Sequence, residues 1–273
     1  MKKQMALIVI SLFMLTGCIT TLKQAYYLNK AYDHNAPLPV LSLEDPKFNM
    51  ESALKVQKAY IKKRLMRDFT AGYKAELTSE KSNKAFGSKG PITAMLFESG
   101  RNSGMSTIWS SDLHNPKIEL EIGFIVKEPI SKPLDKISEL QKKIDSIVPV
   151  IEITDFSFTD MNALTIEDVV AGNAGSAQFI VGVERPWEDI DINTVSVFLT
   201  RKKKIINRGI ATDAFGDQMK ACLWLINQLV SQKFPIEPGN ILITGNLGQI
   251  LPARSGAYMA DFQSLGRIYF QVH

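Results

Sequence analysis

The sequence predicts an α+β fold, and three observations carry that prediction. Apolar and polar residues alternate every second position, or run apolar between turn signals, in more segments than show helical spacing. Two stretches, Asn49 to Arg67 and Phe215 to Lys233, instead repeat their apolar residues on one helical face. No internal repeat, coiled coil or linker divides what lies between them. At 273 residues, 45% hydrophobic and 22% charged, the chain can bury a substantial core and carries no signature of disorder. One α+β domain behind an N-terminal helical segment is the economical reading.

The first residues read as an address. Lys2 and Lys3 precede an apolar run from Met5 to Leu15, too short to cross a bilayer as a helix but the right length for the core of a secretory signal. Leu15, Thr16, Gly17 and Cys18 follow, and this tetrapeptide resembles a bacterial lipobox. The resemblance implies cleavage before Cys18 and lipid attached to its sulfur, with residues 1–17 as signal peptide and 18–37 as a tether and short helix. The mature chain would then sit in the cell envelope, held to a membrane by lipid and facing the periplasm or exterior. The alternative is an ordinary cleaved signal with an incidental cysteine.

Loss of residues 1–17 removes two lysines and lowers the net charge from +4 to +2. So small an excess gives no reason to expect a nucleic-acid partner. Cys18 and Cys222 are the only cysteines, which excludes a disulfide framework or a cysteine metal site, and Cys222 falls in an apolar helical pattern as a small core residue.

Pro37 and Pro39 end the leading segment. Asn49 can cap a helix whose stripe is Leu54, Ile61 and Leu65, with Lys55, Lys58, Lys62 and Lys63 on the wet side. Phe69 to Ser79 reads as a strand entering a turn, and Glu80 to Pro91, rich in Lys, Ser, Asn and Gly, as a loop. Ile92 to Phe97 and Ser106 to Trp109 are short strands. Leu134 to Ile144 has helical spacing and leads into a strand from Val148 to Phe156. Thr165 caps a short helix to Val170, and Gly172 to Ser176 form a small-residue turn before the strand Gln178 to Val183. Thr194 to Thr200 and Lys204 to Ala211 form a hairpin with a basic tip. After the helix ending near Lys233, Pro235 and Pro238 intervene, and the rest is β: Asn240 to Gly245, Ala257 to Phe262 and Arg267 to Val272.

The chemistry is concentrated in Lys117 to Val126, KIELEIGFIV. In a strand, Glu119 and Glu121 project from one face while Ile118, Leu120 and Ile122 pack behind. Two adjacent carboxylates repel, and a hard dication between them would remove the repulsion. The same alternation also describes any half-solvated strand. A third acid, Glu152, lies within the apolar run VPVIEITDF.

Five pieces occur together and in order: GYKAELTS, IELEIGF, VIEITD, VAGNAGSAQFIVG and GNILITGNLGQILPARSGAYMADFQSLGRIYF. Together they resemble the 2-keto-4-pentenoate hydratase branch of the fumarylacetoacetate hydrolase superfamily, over residues 38–273. The resemblance implies a strongly twisted, largely antiparallel β roll with peripheral helices. It implies Mg²⁺ or Mn²⁺ held by Glu119, Glu121 and Glu152, and a small 2-oxo or 2-hydroxydienoic acid chelating that metal. Lys74 matches the family lysine, whose ammonium would neutralise the substrate carboxylate or hold the enol oxygen. Asn173 and Ser176 would line the substrate site. It also suggests a homo-oligomer.

The departures are as informative. Pro91, Ile92, Thr93 and Ala94 stand where the family carries proline, aspartate, an aromatic and glycine, so an acid is missing. Glu76 replaces a small residue after Lys74, and its carboxylate either stands in for the lost acid or pairs with Lys74. Gly172 and Gly175 stand where Asp and Ser are usual. Two functions therefore remain: a metal-dependent lyase, hydratase or decarboxylase-like, with Lys74 and Glu76 as catalytic residues, or a lipid-anchored binding or structural protein of the same fold without turnover. His34, His114 and His273 compose no triad, and GNLG at 245–248 lacks the lysine of a phosphate loop.

Overall fold

The computed structural model describes residues 19–188 and 190–273; residues 1–18, with the expected signal and Cys18, lie outside them. Helix α1 covers 19–33, followed by α2 (Leu41–Glu44) and α3 (Met50–Arg64). Strand β1 (Thr70–Glu76), helix α4 (Glu80–Phe86), and strands β2 (Ile92–Phe97), β3 (Arg101–Ser103), β4 (Ser106–Ile108) and β5 (Pro116–Val126) come next. Then follow α5 (Ile137–Lys143), β6 (Ile144–Asp155), α6 (Ile166–Ala171), β7 (Ser176–Val181), β8 (Ser196–Arg201) and β9 (Lys204–Ile210). The chain closes with α7 (Gln218–Ser231), β10 (Ile241–Ile243), β11 (Leu251–Pro252), β12 (Gly256–Asp261) and β13 (Arg267–Val272). No described helix is long and apolar enough to cross a membrane.

Two compact units emerge, one from the residues up to Arg67 with Ser157–Asn173, the other from Asp68–Phe156 with Ala174–His273. The first is helical. The described part of the expected tether is helical from residue 19, because Ala25 and Leu28 are buried and Asn29 Nδ2 donates to the Tyr60 carbonyl at 3.3 Å. The Arg64 guanidinium lies 3.7 Å from the Tyr32 ring centroid and donates to its hydroxyl at 2.8 Å. On α3, Asn49 accepts from the Ser52 amide as the expected cap, and Ala53, Val56, Tyr60 and Ile61 form the buried stripe. Asp168 on α6 accepts from the Ser42 amide at 3.0 Å and hydroxyl at 2.6 Å, fastening the start of α2 to the cap of α6.

The second unit is the β body: one sheet ordered β2-β1-β10-β5-β6-β7-β3, with β11 also on β5, and a second ordered β4-β13-β12-β8-β9. Most ladders are antiparallel; β1 with β10, β3 with β7 and β4 with β13 are parallel. This is the expected α+β fold, with ladders that are largely antiparallel.

Three local expectations need correction. Residues 80–86 are a helix rather than a loop: Ser79 and Ser82 form a reciprocal capping box, and Gly87 closes the turn at φ 62°. Helix α5 begins at Ile137 rather than Leu134, because the Asn227 side chain accepts from the Leu134 amide and donates to its carbonyl at 2.8 and 2.9 Å. Helix α7 begins after Asp217, which caps the Lys220 amide at 2.9 Å; Phe215 and Gly216, at φ 60° and 75°, cannot be helical.

Register places the chemistry on one face of the larger sheet. Glu119 pairs with Glu152, Glu121 with Val150 and Gly123 with Val148, while Ile243 pairs with both Gly123 and Lys74. Partners across a ladder share a face, so this surface is apolar at one end, where Val148, Val150, Phe179, Ile241 and Ile243 cluster, and acidic at the other. Gly72 permits the parallel approach of β1 to β10, since a Cβ there would strike the Ile241 backbone.

Candidate active site

Four carboxylates and one ammonium converge at the acidic end. Lys74, Glu119, Glu121 and Glu152 are wholly buried and Glu76 is 5% exposed. Burial at this depth requires partners, because an ion removed from water without them costs several kcal/mol, roughly. Lys74 Nζ donates to Glu76 Oε1 at 2.6 Å, to Glu152 Oε1 at 2.6 Å and to the Ala174 carbonyl at 3.1 Å. That carbonyl is aimed by a run of left-handed residues, Asn173, Ala174 and Gly175, at φ 57°, 48° and 61°. Glu119 Oε1 accepts from Thr154 Oγ1 at 3.0 Å. Glu121 Oε2 accepts from the Gly245 amide at 2.7 Å, and φ 113° at Gly245 suits glycine alone.

The remaining oxygens decide what the site can hold. Glu119 Oε2, Glu121 Oε1 and Glu152 Oε2 are buried without a hydrogen-bond donor. Oxygen atoms from Glu76, Glu121 and Glu152 lie within 4.8 Å of one another, the one set of acidic, histidine or cysteine groups among the described residues so placed. An all-oxygen donor set with unsatisfied buried lone pairs fits a hard dication such as Mg²⁺ or Mn²⁺. Of the three expected metal acids, Glu121 and Glu152 thus converge with Glu76, while Glu119 stands directly across the ladder from Glu152 with one oxygen given to Thr154.

Electrostatics agree with a cation-seeking site. Burial, reinforced by the neighbouring carboxylates, holds Glu119 and Glu121 well above the usual carboxylate range. Burial pushes Glu152 up to about 7 against the pull of the Lys74 ammonium. For Lys74, burial favours the neutral amine, but Glu152 and Glu76 outweigh it and raise its pKa.

Glu76 is the register partner of Ile92, so a carboxylate on β1 faces the position where the missing acid was expected on β2. Asn173 is buried at the left-handed turn and Ser176, half-buried, opens β7; they flank Ala174 in sequence. Sequence reading missed Thr154, the Gly245 amide and the Ala174 carbonyl. Thr154 had a signal, standing two residues from Glu152 in the same strand; a backbone donor carries none beyond the glycine itself.

No family model matches the chain. A 2-keto-4-pentenoate hydratase of Paraburkholderia phymatum (strain DSM 17167 / CIP 108236 / LMG 21445 / STM815) is 30% identical over 200 residues, covering 72% of this chain and 76% of the relative. The chain belongs to the 2-keto-4-pentenoate hydratase family. Within that family, the 2-oxo-hept-4-ene-1,7-dioate hydratase of Escherichia coli is 24% identical over 253 residues, 89% of this chain and 94% of the relative. The fold of this hydratase-family chain is shared by the 4-oxalocrotonate decarboxylase of Pseudomonas putida G7, solved with magnesium and adipate, at a TM-score of 0.86 and 24% identity over 93% of this chain and 97% of that one.

Proposed function

We propose that the chain is a divalent-metal-dependent hydro-lyase acting on a small 2-oxo or 2-hydroxydienoic acid, with decarboxylation of a related 2-oxo acid as the neighbouring chemistry. The observation that carries the reading is the trio of buried carboxylates, each with an oxygen that no donor satisfies, in a member of the hydratase family. Glu121 and Glu152, with Glu119 or Glu76 beside them, would hold Mg²⁺ or Mn²⁺, which when bound supplies charge stabilisation to an enolate oxygen. Lys74, fixed by the Ala174 carbonyl, brings a positive charge to the substrate carboxylate or enol oxygen. Glu76, hydrogen-bonded to that ammonium, is the acid placed to exchange a proton with it. Asn173 and Ser176 are the proposed substrate-binding residues of the turn.

The test is Mg²⁺-dependent loss of 2-hydroxypenta-2,4-dienoate followed by ultraviolet absorbance, with Glu121→Gln as control. Turnover should need the metal and fall at least about 100-fold in the variant, because polarisation by a bound ion is worth several kcal/mol. No metal-dependent turnover on any 2-oxo acid tried would favour the second reading, a binding or structural protein. Ile92 in the aspartate position and the tight Lys74–Glu76 pair support that alternative.

We also propose lipid attachment at Cys18 and residence in the cell envelope. The basic start, the apolar run and Leu15-Thr16-Gly17-Cys18 support it. Mass spectrometry of the mature N-terminus tests it; an unmodified cysteine or an uncleaved start overturns it.

A further inference from the structure

Lys74 and a divalent cation would draw on the same two carboxylates, Glu76 and Glu152, each 2.6 Å from Nζ. An ion taking either oxygen at the usual coordination distance would come within about 5 Å of the ammonium, and the two positive charges would repel inside a buried site. Each carboxylate has a second oxygen, and the buried oxygens that lack donors are Glu119 Oε2, Glu121 Oε1 and Glu152 Oε2; none belongs to Glu76. A dication on those three leaves Lys74 bonded to Glu76 Oε1 and Glu152 Oε1, so every buried charge stays paired. Local geometry favours this arrangement too, since Lys74 and Glu76 stand two apart on β1 and project from the same face.

We propose that Glu76 is the resident counter-ion of Lys74 rather than a metal ligand, holding the ammonium beside a dication site made by Glu119, Glu121 and Glu152. Glu76 thereby acts on the metal only through the Lys74 charge it offsets, which makes it a positioning residue. The inference rests on the metal-dependent reading above, and it leaves the substrate open.

Calorimetric titration with MnCl₂ tests it on the wild type, Lys74→Met, Glu76→Gln and the double variant. Lys74→Met should bind Mn²⁺ about tenfold more tightly, having lost the competitor, and Glu76→Gln about tenfold more weakly; the Glu76→Gln effect should vanish in the Lys74→Met background. An equal loss from Glu76→Gln in both backgrounds would identify Glu76 as a direct ligand and overturn the proposal. Unchanged or weaker binding by Lys74→Met would also overturn it, leaving the metal site intact, whereas no binding by the wild type would remove the metal reading itself. Should Lys74→Met fail to fold, the Mn²⁺-bound wild-type crystal structure provides a second readout. Nζ should be hydrogen-bonded to Glu76, with both Glu76 oxygens outside the coordination shell of the ion; a Glu76 oxygen bound to the ion sinks the idea.

Discussion

Glu76 and Ile92 face each other across the β1–β2 ladder, so the acid absent from β2 has a counterpart one strand away. Introducing Ile92→Asp would put two carboxylates opposite one another at a site where Ile92 is 7% exposed. The variant should lose about 3 kcal/mol by urea denaturation, from lost apolar burial and like-charge repulsion. Adding Glu76→Gln should recover part of that loss, and a purely additive pair would show that the two side chains do not meet.

Metal-free stability should fall as pH rises from about 4.5 to about 7. Glu152 is raised from 4.5 to about 7 by burial, so in that window the native state binds more protons than the unfolded chain, and stability declines with pH. Glu119 and Glu121 are shifted in the same direction. Lys74, raised from 10.5, keeps its contribution throughout this window and loses it only at more alkaline pH. Thermal melts across the window, repeated with saturating Mg²⁺, should show a downward slope that the metal flattens; a melting temperature that rises toward neutrality would contradict this.

Thr154→Val leaves both oxygens of Glu119 without a donor. A cost of about 1 to 3 kcal/mol is expected in metal-free urea unfolding, the usual penalty for stranding a buried acceptor. Serine at the same position should restore most of it by keeping the hydroxyl.

Asp168 accepts from the amide and hydroxyl of both Ser42 and Thr165. Asp168→Ala should therefore destabilise the helical unit by about 3 kcal/mol, with faster amide exchange across Ile166–Ala171 as the local signature. Uniform exchange outside that helix, with no change within it, would count against the role given to this carboxylate.

The sequence made the strands and the Glu119–Glu121 alternation legible because both depend on spacing along one segment. It also placed Glu152 inside an apolar run. What spacing does not reveal is convergence: Lys74 reaches Glu152 across 78 positions, and Gly245 reaches Glu121 across 124. Those contacts follow from the strand order β1-β10-β5-β6, which no local pattern specifies. Glu76 was visible as a departure, but pairing of its oxygen with Lys74 needed coordinates. The missed helix at Glu80–Phe86 is a different failure: its polar composition masked a cap, Ser79 with Ser82, and a terminal Gly87 that were already legible.

The helical unit draws its last helix from far along the chain. Residues 157–173 leave at the end of β6, contribute α6 against α3, and return to begin β7. On a ribosome, α3 therefore emerges with α1 already made but long before α6 exists, and the side of α3 that α6 covers must wait for roughly a hundred further residues at synthesis speed. A nascent chain halted before Ser157 is thus expected to recruit holding chaperones, and one halted beyond Asn173 to release them.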